Sequence, residues 1–209
     1  GGTRRPDIGG IHPGKLHREL RRLAEAAGAK LYGSTAVIDI QRVGAEFDIT
    51  TSRGTIRAKQ VIVATNGYSD KGVPWLRKHV VPVISEMIAT TPISPNLMQT
   101  LMPKRQMHSE TAALGHYYRP SPDGTRILLG GRRYHNDPGA ARERLRTALV
   151  SIFPDVADTQ LSHHWFGFVA FPMDQLPKLS VHDGVIYAAG FCGSGVVWAR
   201  WMGAKAASL

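Results

Sequence analysis

Two short apolar runs, one in the first third of the chain and one near its end, constrain the fold more than any other sequence feature. Residues 60–64 read Gln-Val-Ile-Val-Ala, and residues 185–189 read Val-Ile-Tyr-Ala-Ala. Runs of this length without polar alternation are typical of strands buried on both faces, as in sheets covered by helices. The sequence therefore predicts an α/β domain assembled from two distant parts of the chain.

A turn of small residues follows each run. Thr65-Asn66-Gly67 follows the first, and Gly190-Phe191-Cys192-Gly193-Ser194-Gly195 follows the second, ahead of a helix predicted from Val196 onward. Glycines let the backbone approach a ligand closely, and a helix start presents free N–H groups and a partial positive charge. A ligand-binding turn and a plain strand-to-helix turn both fit this pattern, because glycines at 190, 193 and 195 depart from the dinucleotide-binding spacing.

The amino-terminal part predicts one helix and several strands. The helix begins at Pro13, carries leucines at positions 16, 20 and 23 on one face, and ends at Gly28. A strand is predicted over residues 30–40, with an interruption at Gly33-Ser34. Alternation over residues 46–51 and a turn at 52–54 predict a pair of strands that follows it.

The segment between the two apolar runs has a different pattern. Strands are predicted over 80–89, 116–119, 126–132 and 161–171. Helices are predicted to begin near Ser94-Pro95 and near Asp137-Pro138. Strands that follow one another through short turns favour antiparallel pairing. We therefore predict an α/β (α+β) fold, in which an α/β domain of residues 1–80 and 183–209 is interrupted by an antiparallel domain of residues 81–182.

Charge, cysteine content and histidine spacing argue against several classes of protein. The net charge is +10, but the basic residues form no stripe or known motif, so no nucleic-acid partner is expected.

The single cysteine, Cys192, suits a reducing compartment, and we predict a cytoplasmic protein. The apolar runs are too short for a transmembrane segment. His163-His164 would point to opposite faces of a strand, so no metal site is expected.

Five ordered segments carry a resemblance to a known family. They are IHPGKLHRELRRLAEAAGA (11–29), QVIVATNGYSD with VVPVISEMIATTP (60–92), YRPSPDGTRILLGGR (118–132), HHWFGFVAFPMDQLP (163–177) and IYAAGFCGSGVVWARWMG (186–203). In this order they resemble the FAD-dependent oxidoreductases of the D-amino-acid oxidase, glycine oxidase and sarcosine oxidase superfamily, in particular the gamma-glutamylputrescine oxidoreductase-like branch. The amino-terminal GxGxxG motif of that family does not occur in residues 1–209, so we expect the chain to be truncated relative to the family.

The resemblance implies a glutathione-reductase-like FAD-binding domain and assigns residues to the cofactor. The backbone of Val37 would meet the adenine end, and residues 64–67 would lie along the dinucleotide. These four are Ala64, Thr65, Asn66 and Gly67. The pyrimidine side of the flavin would be met by Gly190, Phe191, Cys192, Gly193, Ser194, Gly195, Val196 and Val197, with Cys192 non-covalent. Backbone N–H groups at a helix start stabilise negative charge that develops on this flavin edge.

The inserted domain would form a roof over the flavin that binds the substrate. The candidate roof residues are Tyr117, Tyr118, Arg119, Arg132, Arg133, His164 and Trp165. Of these, Tyr117, Arg119, Arg132, Arg133 and Trp165 are the predicted substrate-binding residues. An arginine binds a carboxylate through two parallel N–H donors, and aromatic rings suit a cationic amine. Because side chains alternate along strands, some of these residues must face the core instead.

The function implied by the resemblance is oxidation of the C–N bond of an amino acid or N-substituted amine to an imine, with hydride transfer to the flavin. The electron acceptor is oxygen or an electron carrier. Lysines that assist oxygen chemistry in the sarcosine oxidase branch are replaced here by Leu128 or Leu129 and by Val197. A flavoprotein dehydrogenase that passes electrons to a quinone or carrier, and a non-catalytic binding module on the same fold, are the alternatives.

Overall fold

A computed structural model describes residues 9–111, 115–133 and 137–209 of the chain. The helices in these ranges are α1 (Pro13–Ala26), α2 (Pro74–His79), α3 (Pro95–Leu101), α4 (Pro138–Ile152) and α5 (Gly195–Ala206). The strands are β1 (Val37–Val43), β2 (Glu46–Thr51), β3 (Gly54–Ala58), β4 (Ile62–Val63), β5 (Val81–Thr90), β6 (His108–Ser109), β7 (Tyr117–Pro120), β8 (Ile127–Arg132), β9 (Leu161–Phe171), β10 (Lys178–His182) and β11 (Val185–Ala189). The mixed α and β content agrees with the predicted fold class.

The two predicted buried strands are neighbours in one sheet. Its order is β10-β11-β4, in which β4 and β11 are parallel. All five residues of β11 are buried, as predicted. The prediction is wrong for β4, which covers two residues only and leaves Ile62 half exposed. The physical reason is position, because β4 is at the edge of this sheet within the described part of the chain, whereas β11 is at its centre.

A three-stranded meander of β1, β2 and β3 packs against this sheet. Phe47 and Ile49 of β2 are buried in a cluster with Val63, Leu76 and Tyr187. The predicted alternation of β2 is confirmed. The strand predicted over residues 30–40 begins only at Val37, because the chain from 30 to 36 forms turns that include a positive φ at Ser34.

A five-stranded antiparallel sheet forms the middle of the chain, in the order β6-β7-β8-β5-β9. Helix α4 covers one face, where Leu145 and Leu149 pack on Ile88 and Leu129. The helix begins as predicted, since the Asp137 carboxylate accepts a hydrogen bond from the Gly139 N–H. The opposite face of the sheet is not covered by α4.

Two features of the fold were not anticipated. Strand β10 pairs antiparallel with β11, so residues 178–182 join the sheet of the terminal segments, and the predicted domain boundaries stay a prediction. Helix α1 forms as predicted but buries none of its residues, and its Leu20 and Leu23 remain half exposed. Within the described residues no helix is long and apolar enough to cross a membrane, and no cluster of metal-ligating side chains occurs.

Candidate functional site

The two turns singled out in the sequence meet at one edge of the β10-β11-β4 sheet. Strands β4 and β11 are parallel, so their carboxyl ends lie side by side, which is where open α/β sheets bind ligands. The Asn66 side chain joins the turns, because its Oδ1 accepts a hydrogen bond of 2.9 Å from the Gly190 N–H. Asn66 itself has a φ of 49°, a left-handed conformation that asparagine tolerates well.

The turn from Gly190 to Gly195 contains several residues in the left-handed backbone conformation. Positive φ angles occur at Gly190, Cys192 and Gly193, and Gly190 packs against the ring of Pro172, where a Cβ would come within 2.4 Å of Cγ. The backbone N–H groups of Gly193, Gly195 and Val196 donate no hydrogen bond within the described part of the chain. Together with the exposed start of the 12-residue helix α5, they form a set of free donors that suits developing negative charge.

Cys192 lies in this turn and is a weakly acidic thiol. Its Sγ contacts the Gly190 carbonyl oxygen at 3.2 Å. Partial burial raises its pKa above the ordinary value, and Asp174 adds to the increase, while Arg132 and Lys178 oppose it. A helix start could have lowered the pKa, but in this turn desolvation is the larger effect.

The remaining predicted cofactor residues lie around the first turn. Gly67 approaches strand β9 so closely that a Cβ would come within 2.9 Å of the Phe168 backbone. The Thr65 and Ser69 hydroxyls are hydrogen-bonded to each other, and Ala64 is exposed. Val37 begins β1, and its carbonyl oxygen lies against Gly72 in the loop that follows this turn. A recess of about 240 Å³ beside the turn is lined by Asn66, Gly67, Ser69, Arg77, Val80 and Pro82.

Four predicted substrate-binding residues, Tyr117, Arg119, Arg132 and Trp165, point to the face of the five-stranded sheet that α4 does not cover. Tyr117 on β7 lies opposite Gly130 on β8, and Gly130 lies opposite Met87 on β5. Met87 in turn lies opposite Trp165 on β9. Arg132 lies two residues after Gly130 and therefore on the same face. Gly130 makes room for the tyrosine, since a Cβ there would come within 2.4 Å of the Tyr117 ring.

Arg132 connects this face of the sheet to the glycine turn. Its guanidinium lies 5.4 Å from the centre of the Phe171 ring, a cation–π contact that restrains its orientation. A Cβ built on Gly193 would lie 2.9 Å from Arg132 Nη2, so the guanidinium is at the turn. The structure thus brings together an arginine predicted from the middle of the chain and a turn predicted from its end.

Three other predicted roof residues lie on the opposite face of the sheet, and Arg119 is hydrogen-bonded to another part of the chain. Arg133 follows Arg132 and points to the opposite, α4-covered face, where its guanidinium pairs with the buried carboxylate of Glu86. Tyr118 packs on that face against Phe153. His164 also lies there. Arg119 is on the same face as Tyr117, but its Nη1 donates to the Ile11 carbonyl oxygen at 2.8 Å. The expectation that Arg133 binds substrate is therefore corrected by strand alternation and by its buried partner.

Sequence reasoning missed three residues of strand β5. Ser85 and Met87 face the site, and the Ser85 hydroxyl is hydrogen-bonded to the Tyr117 hydroxyl at 2.6 Å. Glu86 lies between them on the opposite face and is fully buried. The available signal was a polar pair, Ser85-Glu86, inside an otherwise apolar central strand. Such a pair in the middle of a buried strand indicates a function for at least one of its members.

The chain fits one end of FAD. The free N–H donors at the start of α5 and the exposed, glycine-lined turn suit the edge of a planar ring that gains negative charge on reduction. The Asn66–Gly190 hydrogen bond continues that surface to the first turn. A cradle of the GxGxxG type for the pyrophosphate is not encoded in residues 1–209.

Known proteins of similar sequence cover the whole chain. The chain is 34% identical over 211 residues to the probable oxidoreductase OrdL of Rhizobium meliloti (strain 1021), covering 100% of the chain and 49% of the relative. It is 29% identical to gamma-glutamylputrescine oxidoreductase of Escherichia coli (strain K12) over 205 residues, covering 96% of the chain and 48% of the relative. The chain spans about half the length of the curated relatives it matches.

A solved structure supports the fold. The crystal structure of glycine oxidase from Geobacillus kaustophilus superposes with a TM-score of 0.74 at 23% identity, over 93% of this chain and 52% of that one. The family model described as "DAO: FAD dependent oxidoreductase" matches residues 1–209. The predicted resemblance is thereby confirmed, and the chain belongs to the DAO family of FAD-dependent oxidoreductases.

Proposed function

We propose that this chain supplies the flavin-ring and substrate half of an enzyme that oxidises the C–N bond of an amino acid or other carboxylate-bearing amine to an imine. The observation that carries the proposal is the Arg132 guanidinium beside the turn of Gly193, on the same sheet face as Tyr117 and Trp165. Relatives named for gamma-glutamylputrescine and glycine support an amine or amino-acid substrate.

In the proposed reaction FAD accepts the electrons, and the backbone of the chain stabilises the charge that results. Bound FAD supplies the two-electron acceptor that takes a hydride from the carbon next to the amine. The free N–H groups of Gly193, Gly195 and Val196 stabilise the negative charge that accompanies reduction, with the helix dipole of α5 behind them. Such charge stabilisation requires no acid side chain at that edge, so the proposal needs no catalytic triad.

Arg132 is the proposed carboxylate receptor. Its guanidinium rests on the Phe171 ring, which limits its motion and leaves the planar edge available for two parallel hydrogen bonds. Of the nearby carboxylates, Glu86 points to the opposite face and is paired with Arg133. Asp174, which like Arg132 acts electrostatically on Cys192, is paired with Lys178. A substrate with a carboxylate is attracted to Arg132, whereas a bare diamine is repelled.

Aromatic side chains form the proposed walls of the substrate site. The Tyr117 hydroxyl is fixed by Ser85, so the ring holds one orientation over Gly130. Trp165 is 43% exposed on the neighbouring edge strand and offers an apolar surface. Together with Met87 they would exclude water from the reacting carbon and orient the amine.

The residues at positions 128, 129 and 197 bear on the identity of the electron acceptor. Leu129 is fully buried in the core under α4 and cannot reach the site, whereas Leu128 and the exposed Val197 carry no charge. No lysine stands at these positions to assist reaction with oxygen. This observation favours the second candidate, a dehydrogenase that passes electrons to a quinone or carrier. Accumulation of hydrogen peroxide during turnover distinguishes the oxidase from this dehydrogenase.

The test is anaerobic bleaching of the flavin absorption band by a panel of amines. Because residues 1–209 lack a pyrophosphate motif, flavin-loaded protein here means the chain joined to an amino-terminal segment that carries one. Bleaching by carboxylate-bearing amines is expected. A flavin that no amine or amino acid bleaches would instead support a non-catalytic binding module.

A further inference from the structure

A buried ionic cluster lies beneath the proposed substrate site, on the opposite face of the five-stranded sheet. Glu86 is fully buried, and its Oε1 pairs with the guanidinium of Arg133, whose side chain is 8% exposed. Arg133 also lies over the Phe166 ring at 4.9 Å. His164 Nε2 is 3.7 Å from the same Glu86 oxygen. Strands β5 and β9 therefore contribute one member each, and the third, Arg133, directly follows the end of β8.

The cluster is poorly optimised for stability. Glu86 Oε2 and His164 Nε2 are buried and find no hydrogen-bond partner within the described ranges of the chain. Removing two charges from water costs more than their attraction returns unless the remaining donors and acceptors are satisfied. An apolar pair at the same place would cover the sheet under α4 at least as well. A role other than stability is therefore the better explanation for the pair.

The position of the cluster indicates that role. Arg133 immediately follows Arg132, and Glu86 lies between the two β5 residues that face the site. Because successive strand side chains point to opposite faces, fixing Arg133 on one face fixes Arg132 on the other. The Arg133 N–H donates to the Ile84 carbonyl oxygen at 2.9 Å, which extends the ladder one residue past the end of β8.

We propose that Glu86 is a positioning residue that acts through Arg133 to hold Arg132 beside the glycine turn. The pair anchors the end of β8 from below, so the Arg132 guanidinium meets a ligand carboxylate in one orientation. Without the anchor, Arg132 would still be charged but would sample more conformations. This inference rests on the proposed role of Arg132 as the carboxylate receptor.

The test is a double-mutant cycle on a binding measurement, which requires no turnover. The dissociation constant of benzoate, a carboxylate without an amine, is measured from the perturbation of the flavin absorption band in flavin-loaded protein. Benzyl alcohol serves as the ligand without a carboxylate. The variants are Glu86→Gln, Arg132→Ala and the double variant. Glu143→Gln, an exposed position on α4, is the matched control.

We expect Glu86→Gln to weaken benzoate binding roughly tenfold, without an effect on benzyl alcohol. In the Arg132→Ala background the same substitution should change benzoate binding by less than about twofold, because its target is gone. Arg133→Lys keeps the charge but loses the planar fork, and it should reproduce part of the effect if Glu86→Gln does not fold.

Equal weakening for both ligands, or full additivity in the double variant, would mean that Glu86 only supports the general fold, and the inference would be overturned. Unchanged benzoate binding in Arg132→Ala would overturn it as well. Equal weakening or full additivity leaves the proposed function standing, whereas unchanged benzoate binding in Arg132→Ala also removes Arg132 as the carboxylate receptor. Whether the protein oxidises amines depends separately on whether amines bleach the flavin. Conversely, the expected cycle with no bleaching would leave Glu86 as a positioning residue in a binding module.

Discussion

Gly195 offers the sharpest test of the flavin site, because its substitution separates the ligand from the fold. It is the first residue of α5, its φ is not positive, and a Cβ built there would lie 3.5 Å from Phe191 Cδ2, an ordinary contact. Gly193 is less informative, since its φ of 92° would strain any side chain. Gly195→Val should therefore leave the chain folded while it fills the space proposed for the flavin edge.

The expected magnitudes differ between the two effects. Valine has a slightly better helix propensity than glycine, so the free energy of unfolding should change by less than about 1 kcal/mol. Forcing a side chain into space that a ligand occupies costs about 1–3 kcal/mol. That range corresponds to roughly five- to 150-fold weaker flavin binding.

The assay is flavin content and FAD dissociation constant, measured together with the thermal midpoint. Gly203→Val is the matched control, because Gly203 lies on the same helix and a Cβ there meets nothing within 4 Å. Gly203→Val should keep its flavin. If Gly195→Val retains normal flavin content and normal turnover, then the turn does not contact the flavin and the proposed site is wrong.

Three further predictions follow from the same site. Residues 1–209 alone should bind FAD weakly or not at all, because the pyrophosphate lacks its main cradle; a tight stoichiometric complex in a flavin fluorescence titration would contradict this. Arg132→Ala should raise the Michaelis constant of a carboxylate-bearing amine roughly tenfold or more, since one charge-assisted bidentate contact contributes about 1.5–3 kcal/mol, and a matched diamine should turn over poorly in both proteins. The raised pKa of Cys192 means less thiolate at pH 7, so iodoacetamide should alkylate it more slowly than free cysteine, with a rate that increases as the pH rises toward that pKa; labelling as fast as free cysteine would show a lowered pKa instead.

The sequence by itself determined the parts of the fold that depend on local pattern. The apolar run of β11 is buried as predicted, because a strand at the centre of a sheet that is covered on both faces strongly favours apolar side chains. Helices α1, α3 and α4 begin at a proline after a residue whose side chain caps the helix, which is a local rule. The order of motifs was also sufficient to identify the family.

Only the tertiary structure decided which residues meet. Arg132 and Arg133 are adjacent residues of the same type, so the sequence does not tell their roles apart. The register of β8 against β5 places Arg132 at the glycine turn and Arg133 in a buried pair with Glu86. The burial of β4 was overestimated because the sequence does not tell an edge strand from a central one. The Asn66–Gly190 hydrogen bond joins residues 124 positions apart, and no local pattern encodes such a contact. Local chemistry thus specifies the elements, whereas strand register and sheet position, which depend on long-range pairing, specify the site.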